Sequence, residues 1–322
     1  MRDHGGDLDR ARAAYGGEDW IDLSTGINRQ PWPVPPLPPE AWAALPLASA
    51  LEALEAAAAH AYGATSPVVA LAGAQAAIQL IPRLGAPGRA AVLTPSYNEH
   101  AAALSAQGWA VTPAADLEAM AGADLAVVVN PNNPDGRRWP PDVLAALASQ
   151  VGRLVVDESF ADPEPGLSLA PLLVGLGERV VVLRSFGKFS GLAGVRLGFA
   201  LTGPATAAQL RALAGPWPVS GPALAIGAAA LADRRWHAET SALLQADAKR
   251  LSALLAAQAG WLTIGACALF VTVETGDALA AQARLAKQRI WTRAFPYSKG
   301  WLRLGLPGTP AEWVRLEEAL RA

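Results

Sequence analysis

Lys188 is one of only four lysines in the 322-residue chain, and it sits in "VVVLRSFGKFSGLAGVRLGFAL", residues 180–201, where a β-branched run enters a turn rich in Gly and Ser. A surface charge needs no such setting, so an amine held there between Gly187 and Gly191 is placed to react. Three further β-branched runs precede it, at residues 90–96, 124–131 and 152–159. Each ends in, or is followed by, a polar or aromatic group able to take part in chemistry: Tyr97 in "TPSYNEH", Asn133 in "NPNNPDG", and Asp157 in "VDESF". The fourth run, 178–185, leads to Ser185, Lys188 and Arg196. Upstream, "LAGAQAAIQL" offers a Gly-containing turn and a helix start at Gly73, Ala74 and Gln75, where backbone N–H groups can meet an anion.

The elements that must position these groups alternate short apolar runs with Ala- and Leu-rich helical stretches, the pattern of a parallel α/β sheet. In such a sheet ligands collect at the carboxyl ends of the strands, so the six kinds of side chain converge on one cleft. Together they answer the needs of pyridoxal phosphate. Lys188 supplies the amine that condenses with its aldehyde and then moves a proton. Asp157 is the carboxylate that keeps its ring nitrogen protonated, Asn133 donates to the ring oxygen, and Tyr97 stacks on the ring face. Gly73, Ala74, Gln75, Ser185 and Arg196 supply donors and a cation for its phosphate. Each motif alone has a plain alternative: "GAQAA" as a strand-to-helix turn, "NPNNPDG" as a simple turn, Asp157 as a cap or ion pair, Tyr97 as core. Their joint order along one sheet decides for the cofactor site.

Composition excludes several classes. A formal charge of −2 and a pI near 6.1 give no basic surface for nucleic acid or an anionic membrane. No apolar run is long enough to span a bilayer without Gly, Pro or charge, and the charged opening is unlike a signal peptide, so a cytoplasmic location is expected. Cys267, the single cysteine, rules out an internal disulfide and cannot by itself build a zinc site. Residues 1–40 read as an irregular arm ending in the Pro-rich "RQPWPVPPLPPE", residues 41–205 as a large cofactor-binding domain, and residues 206–322 as a smaller α+β domain.

The ordered set "NPNNPDG", "VDESF" and "SFGKFSGLAGVRLG" resembles the fold-type I pyridoxal phosphate enzymes, in the branch of histidinol-phosphate aminotransferases and the threonine-phosphate decarboxylases of cobalamin biosynthesis. The resemblance implies an α/β fold: a large domain with a mostly parallel sheet flanked by helices, a small C-terminal α+β domain, and a homodimer with active sites at the subunit interface. It implies that Arg303 in "WLRLGLPG" grips the substrate carboxylate. The opening "HGGDLDRARAAYG" with "WIDLSTGIN" is similar to that of the decarboxylases, which implies that His4, Gly26 and Asn28 line the substrate side. A substrate phosphate would draw on cations, for which His4, Arg2, Lys299 and Arg293 are candidates.

Three positions depart from the family. Phe160 stands where aminotransferases of this branch usually carry a tyrosine, Leu45 where a tyrosine often reaches across the dimer, and Gly187 where Ser or Thr often meets the cofactor phosphate. The expected reaction is decarboxylation of O-phospho-L-threonine, with transamination of the histidinol-phosphate type as the alternative. The cleaved bond is the one held perpendicular to the ring, and sequence does not fix that torsion.

Overall fold

The computed structural model describes residues 4–321, which divide into two compact units. Trp32–Asn133 and Arg138–Ala238 form the larger; residues 4–31, Pro134–Arg137 and residues 239–321 form the smaller. In chain order the strands are β1 (Ile21–Asp22), β2 (Val68–Leu71), β3 (Arg89–Leu93), β4 (Ala110–Ala114), β5 (Leu125–Val129), β6 (Arg153–Asp157) and β7 (Val180–Ser185). They continue with β8 (Gly198–Thr202), β9 (Leu262–Cys267), β10 (Phe270–Glu274), β11 (Ile290–Trp291), β12 (Arg293–Phe295) and β13 (Ser298–Gly305).

The larger unit holds a seven-stranded sheet in the order β2-β8-β7-β6-β5-β3-β4. The pairs from β4 through β7 are parallel; β8 runs antiparallel to β7 and β2 antiparallel to β8. Successive side chains along a strand point to opposite faces, and here both faces are covered. Leu154 and Val156 join one apolar cluster with Leu54, Leu144 and Phe199, while Val155 between them joins a second with Ile78, Leu104 and Leu210. That double burial is why β5, β6 and β7 read as unbroken apolar runs.

The four strands expected from sequence are present as β3, β5, β6 and β7, each trimmed by a few residues. Sequence reading did not mark β2, β4 or β8. β2 is only four residues long, and β4 is an edge strand with Pro113 in it and mostly exposed side chains, so neither carries a strong apolar signature. β8 follows directly on the turn that holds Lys188 and Arg196.

The smaller unit has a four-stranded antiparallel sheet, β12-β13-β10-β9, and a parallel pair, β1 with β11. The opening stretch is not irregular as expected. Leu8–Tyr15 is a helix because Asp7 caps it, accepting from the Arg10 N–H at 3.0 Å, and Gly16 at φ 67° ends it. Ala11 of that helix packs on Ala286 and Trp291, and the rings of Tyr15, Trp20 and Trp291 lie 6.4 Å apart pairwise. Arg29 pairs with Glu312, whose carboxylate also accepts from the Gly308 N–H at 2.6 Å.

Candidate functional site

In the larger unit the loops after β3 and β5 are stitched together. Asn132 accepts from the Ser96 hydroxyl at 2.8 Å and donates to the Pro95 carbonyl at 2.9 Å. Asn130 closes its own loop by bonding both polar backbone groups of Trp139, at 2.9 and 3.0 Å. These bonds set the positions of Tyr97, which immediately precedes the helix Asn98–Ala106, and of Asn133, which is buried.

Asp157 ends β6 and is 2 % exposed. Its Oδ1 accepts from the Ser159 N–H at 3.0 Å and from the Ser159 hydroxyl, and its Oδ2 lies 2.8 Å from His100 Nε2. Burial acts to raise this carboxyl. The His100 bond and charge, the Ser159 hydroxyl and the Lys188 ammonium outweigh it and hold the carboxyl below the ordinary carboxylate range. The group is therefore a buried carboxylate that stays ionised.

His100 was missed in sequence. It lies three residues after Tyr97, one turn into the same helix, and its ring meets that of Tyr97 edge-on at 6.1 Å and 83°. The only signal was that spacing within "TPSYNEH", which places two rings on one helical face. Tyr97 in turn donates to Gln75 at 3.4 Å, and the Gln75 amide donates to Glu99 at 3.0 Å.

Lys188 lies in the short helix Phe186–Phe189 at the end of β7, with its ammonium 4.9 Å from the centre of the Phe160 ring. The phenyl ring that replaces tyrosine thus faces the amine. Gly187 has a packing reason: a Cβ there would sit 2.6 Å from the Ala193 Cα, so no hydroxyl-bearing side chain fits. Ser185 pairs with Gly198 across β7 and β8, and a Cβ on Gly198 would lie 2.3 Å from the Ala74 nitrogen. The first turn of the helix Ala74–Leu80 is therefore pressed against the strand beside Ser185. Gly73 takes φ 81°, and a Cβ on it would lie 2.8 Å from an Arg196 guanidinium nitrogen. Gly73, Ala74, Ser185 and Arg196 are so brought together; Tyr97 joins Gln75 directly and Asp157 through His100, and the Lys188 charge acts on Asp157.

A buried ion pair braces the same strand ends. Arg184, beside Ser185, donates to Glu158, beside Asp157, at 2.8 Å, and its guanidinium lies 4.2 Å from the Tyr62 ring centre. Glu158 also accepts from Ser168 and from the Leu169 N–H, each at 2.6 Å.

In the smaller unit Arg303 on β13 is 2 % exposed and donates to the Ser24 carbonyl at 2.6 Å. Burial, then the adjacent Arg293, push its guanidinium down to about 9, so the pair of cations favours an incoming anion. Ser24 is itself held by Asp22, its hydroxyl donating at 2.6 Å, while the Gly6 N–H donates to that hydroxyl at 2.7 Å. A Cβ on Gly5 would lie 2.2 Å from the Ser24 carbonyl oxygen, and Gly6 takes φ 88°. The two glycines after His4 are needed because backbone crosses backbone there. Gly26 is buried, and Asn28, also buried, accepts from the Gln30 N–H at 2.9 Å. His4, Arg293 and Lys299 line a cavity of about 490 Å³, while Arg2 lies outside the described residues.

The family model for aminotransferase class I and II matches residues 18–321. The chain belongs to that family. A threonine-phosphate decarboxylase of Sinorhizobium sp is 44 % identical, over 98 % of this chain and 97 % of that one. A threonine-phosphate decarboxylase of Pseudomonas aeruginosa is 43 % identical, over 99 % and 97 %. Among solved structures, the histidinol-phosphate aminotransferase of Sinorhizobium meliloti in complex with pyridoxal-5'-phosphate superposes with a TM-score of 0.83 at 24 % identity, covering 97 % of this chain and 93 % of that one. That likeness establishes the family's fold-type I architecture here: a mostly parallel sheet flanked by helices and a separate antiparallel sheet toward the C-terminus.

Proposed function

We propose that the protein is a pyridoxal phosphate-dependent lyase that decarboxylates O-phospho-L-threonine to (R)-1-aminopropan-2-yl phosphate, a step of cobalamin biosynthesis. The observation that carries this reading is sequence identity of 44 % and 43 % to two threonine-phosphate decarboxylases over nearly the whole of each chain. It is supported by the way "HGGD" and "STGIN" are built onto Arg303 through Ser24, since those segments carried the decarboxylase resemblance.

The residues fit the cofactor. The space beside Gly73 that a Cβ would fill is where Arg196 approaches, and Ala74 and Gln75 begin a helix next to Ser185, a donor set suited to a phosphate. Asp157 is a buried carboxylate held ionised, suited to a protonated ring nitrogen. When bound, pyridoxal phosphate supplies the sink for the electron pair released as carbon dioxide departs. Lys188 attaches it and afterwards delivers a proton to the substrate α-carbon. His100 keeps Asp157 oriented and charged. Tyr97 would cover the cofactor ring, and Asn133 would be left to donate to its oxygen without a hydroxyl from Phe160. Arg303 binds the substrate carboxylate, Gly26 and Asn28 shape its surroundings, and His4 with Arg293 and Lys299 receives the phosphate.

The protein is expected to work as a cytoplasmic homodimer. Trp42, Leu45, Leu47 and Trp217 of the larger unit are 70, 65, 71 and 56 % exposed, apolar side chains that a second copy would cover. No helix among the described residues is long and apolar enough to cross a membrane.

The deciding experiment supplies O-phospho-L-threonine to one sample and histidinol phosphate with 2-oxoglutarate to another, and measures carbon dioxide and glutamate in both. Carbon dioxide from the first supports the lyase. Glutamate without carbon dioxide replaces it with the aminotransferase.

A further inference from the structure

Thr272 lies in the middle of β10, is fully buried, and donates its hydroxyl to the Pro134 carbonyl, 138 residues away in the chain. A hydroxyl buried in a strand costs free energy unless it is bonded, and a valine of the same shape would fill the space without that demand. The hydroxyl therefore has a task, and its acceptor says which. The chain crosses from the larger unit to the smaller at the Asn133–Pro134 bond. The carbonyl that Thr272 holds thus belongs to the residue after Asn133, the proposed donor to the cofactor's ring oxygen.

The tie acts close to Asn133. Pro134 has no N–H and its ring fixes φ, so its carbonyl is the first backbone polar group beyond Asn133 that can be anchored, and few soft torsions lie between them. The turn that follows is pinned as well. A Cβ on Gly265 would lie 1.7 Å from the Asp135 carbonyl oxygen, and one on Gly136, at φ 65°, would lie 2.5 Å from the Ala266 carbonyl oxygen, so the turn is seated against β9 at both points. Asp135 closes it, accepting from the Arg137 N–H at 3.1 Å and from the Arg137 Nε–H at 2.8 Å. The anchor is itself firm. Thr272 pairs with Gly265 on one side and with Arg303 on the other, and Arg303 is buried and bonded to the Ser24 carbonyl.

We propose that Thr272 is a positioning residue: by holding the Pro134 carbonyl it fixes the direction in which the Asn133 amide donates. This rests on the cofactor reading of Lys188 and Asn133. Because Phe160 offers no hydroxyl to the same oxygen, its stabilisation depends on the aim of Asn133. A donor aimed at that oxygen favours its anionic form, so the proton at the Lys188 nitrogen beside it is released at lower pH.

Thr272→Val keeps the shape and removes the donor, while Thr272→Ser keeps the donor. In the holoenzyme, pH titration of the visible absorbance of the Lys188-bound cofactor should show a midpoint raised by about half a pH unit in Thr272→Val, the same direction as in Asn133→Ala, and restored in Thr272→Ser. Thr272→Ala, which leaves room for a water on the Pro134 carbonyl, gives the same reading should the valine variant not fold. Hydrogen exchange of the full chain, with and without pyridoxal phosphate, should quicken about tenfold at residues 135–137 in Thr272→Val while β9, β10 and β13 exchange as in wild type. An unmoved midpoint overturns the inference, as does a serine variant that behaves like the valine, or exchange that quickens throughout the smaller unit. A wild type that shows no such absorbance with pyridoxal phosphate added sinks the cofactor reading instead. Quickening confined to residues 135–137 then still supports the hold of Thr272 on the segment after Asn133, and its absence overturns that hold too.

Discussion

Replacing His100 by Phe should move the acid limb of the pH–rate profile upward while leaving the alkaline side nearly untouched. The His100 and Asp157 side chains are each 3 % exposed and 2.8 Å apart. Burial is the strongest influence on Asp157 and acts to raise it; the His100 bond is the largest influence opposing that. A hydrogen bond to a charged group contributes about 1.5–3 kcal/mol, so losing it should raise the Asp157 carboxyl from its depressed position. Phe keeps the ring that meets Tyr97 edge-on at 6.1 Å, which limits the packing loss. The sign follows from linkage. A carboxyl depressed in the folded state gives stability that is full above its unfolded value, near 3.9, and is lost as pH falls through the folded value. In His100→Phe both the loss of turnover and acid unfolding should therefore begin at higher pH. The assay is turnover of O-phospho-L-threonine from about pH 4 to about pH 8 beside acid unfolding by circular dichroism. An acid limb that stays in place, or a uniform fall at every pH, would refute the reasoning.

Lys188→Ala should abolish the borohydride-fixed cofactor adduct found by peptide mass analysis in the wild type; label on Lys249, Lys287 or Lys299 would contradict the assignment. Asp157→Asn keeps an oxygen for the two Ser159 donors and turns its amide toward His100, so the fold should survive. A charge pair at about 4 Å in an effective dielectric of about 20 is about 4 kcal/mol, so turnover should fall about a thousandfold with far less change in cofactor binding. Gly73→Ala places a Cβ 2.8 Å from Arg196 at φ 81°, and with a left-handed cost of about 1–2 kcal/mol, cofactor titration should show about tenfold weaker binding. Arg184→Met strands the fully buried Glu158 and the neighbouring Asp162 and should cost about 3–5 kcal/mol in urea unfolding, only partly recovered when Glu158→Gln is added.

The candidate cofactor set could be proposed from sequence because its chemistry is written next to strand ends, and the strands that carry it, β3, β5, β6 and β7, are buried on both faces and so read as apolar runs. What escaped was of another kind. His100 acts through Asp157, 57 residues away, a relation no local spacing reveals. The pair of Glu158 and Arg184 looked like flanking residues of two motifs, although burial makes each depend on the other. The helix Leu8–Tyr15 was hidden by charged residues and by its position near the chain start, where Asp7 and Gly16 supply the start and stop. Pro134–Arg137 belongs with the smaller unit, apart from the Asn133 that precedes it, because Gly136 and Gly265 let its backbone lie against β9, which only the folded sheet shows.

The choice between losing carbon dioxide and losing a hydrogen cannot be made by the residues proposed to hold the cofactor, since Lys188, Asp157 and Asn133 would serve either course alike. It must be made by groups that fix the substrate about its α-carbon, and two anchors are the fewest that define a torsion. In the smaller unit Arg303 is rigidly placed: its guanidinium is buried, bonded to the Ser24 carbonyl, and Ser24 is held from one side by Asp22 and from the other by Gly6. The segment that makes Arg303 rigid is thus the one that brings His4 and Arg10 to the cavity wall. On the proposed reading, a carboxylate anchor at Arg303 and a phosphate anchor at this cavity are tied to one piece of backbone and would hold a fixed separation. A substrate that reaches both has its α-carbon torsion set by that separation, whereas one without a phosphate is held at the carboxylate alone and is free to turn. Shortening or loosening the Gly5–Gly6 crossing should therefore cost selectivity for carbon dioxide release before it costs cofactor binding, because the residues proposed to hold the cofactor lie in the larger unit.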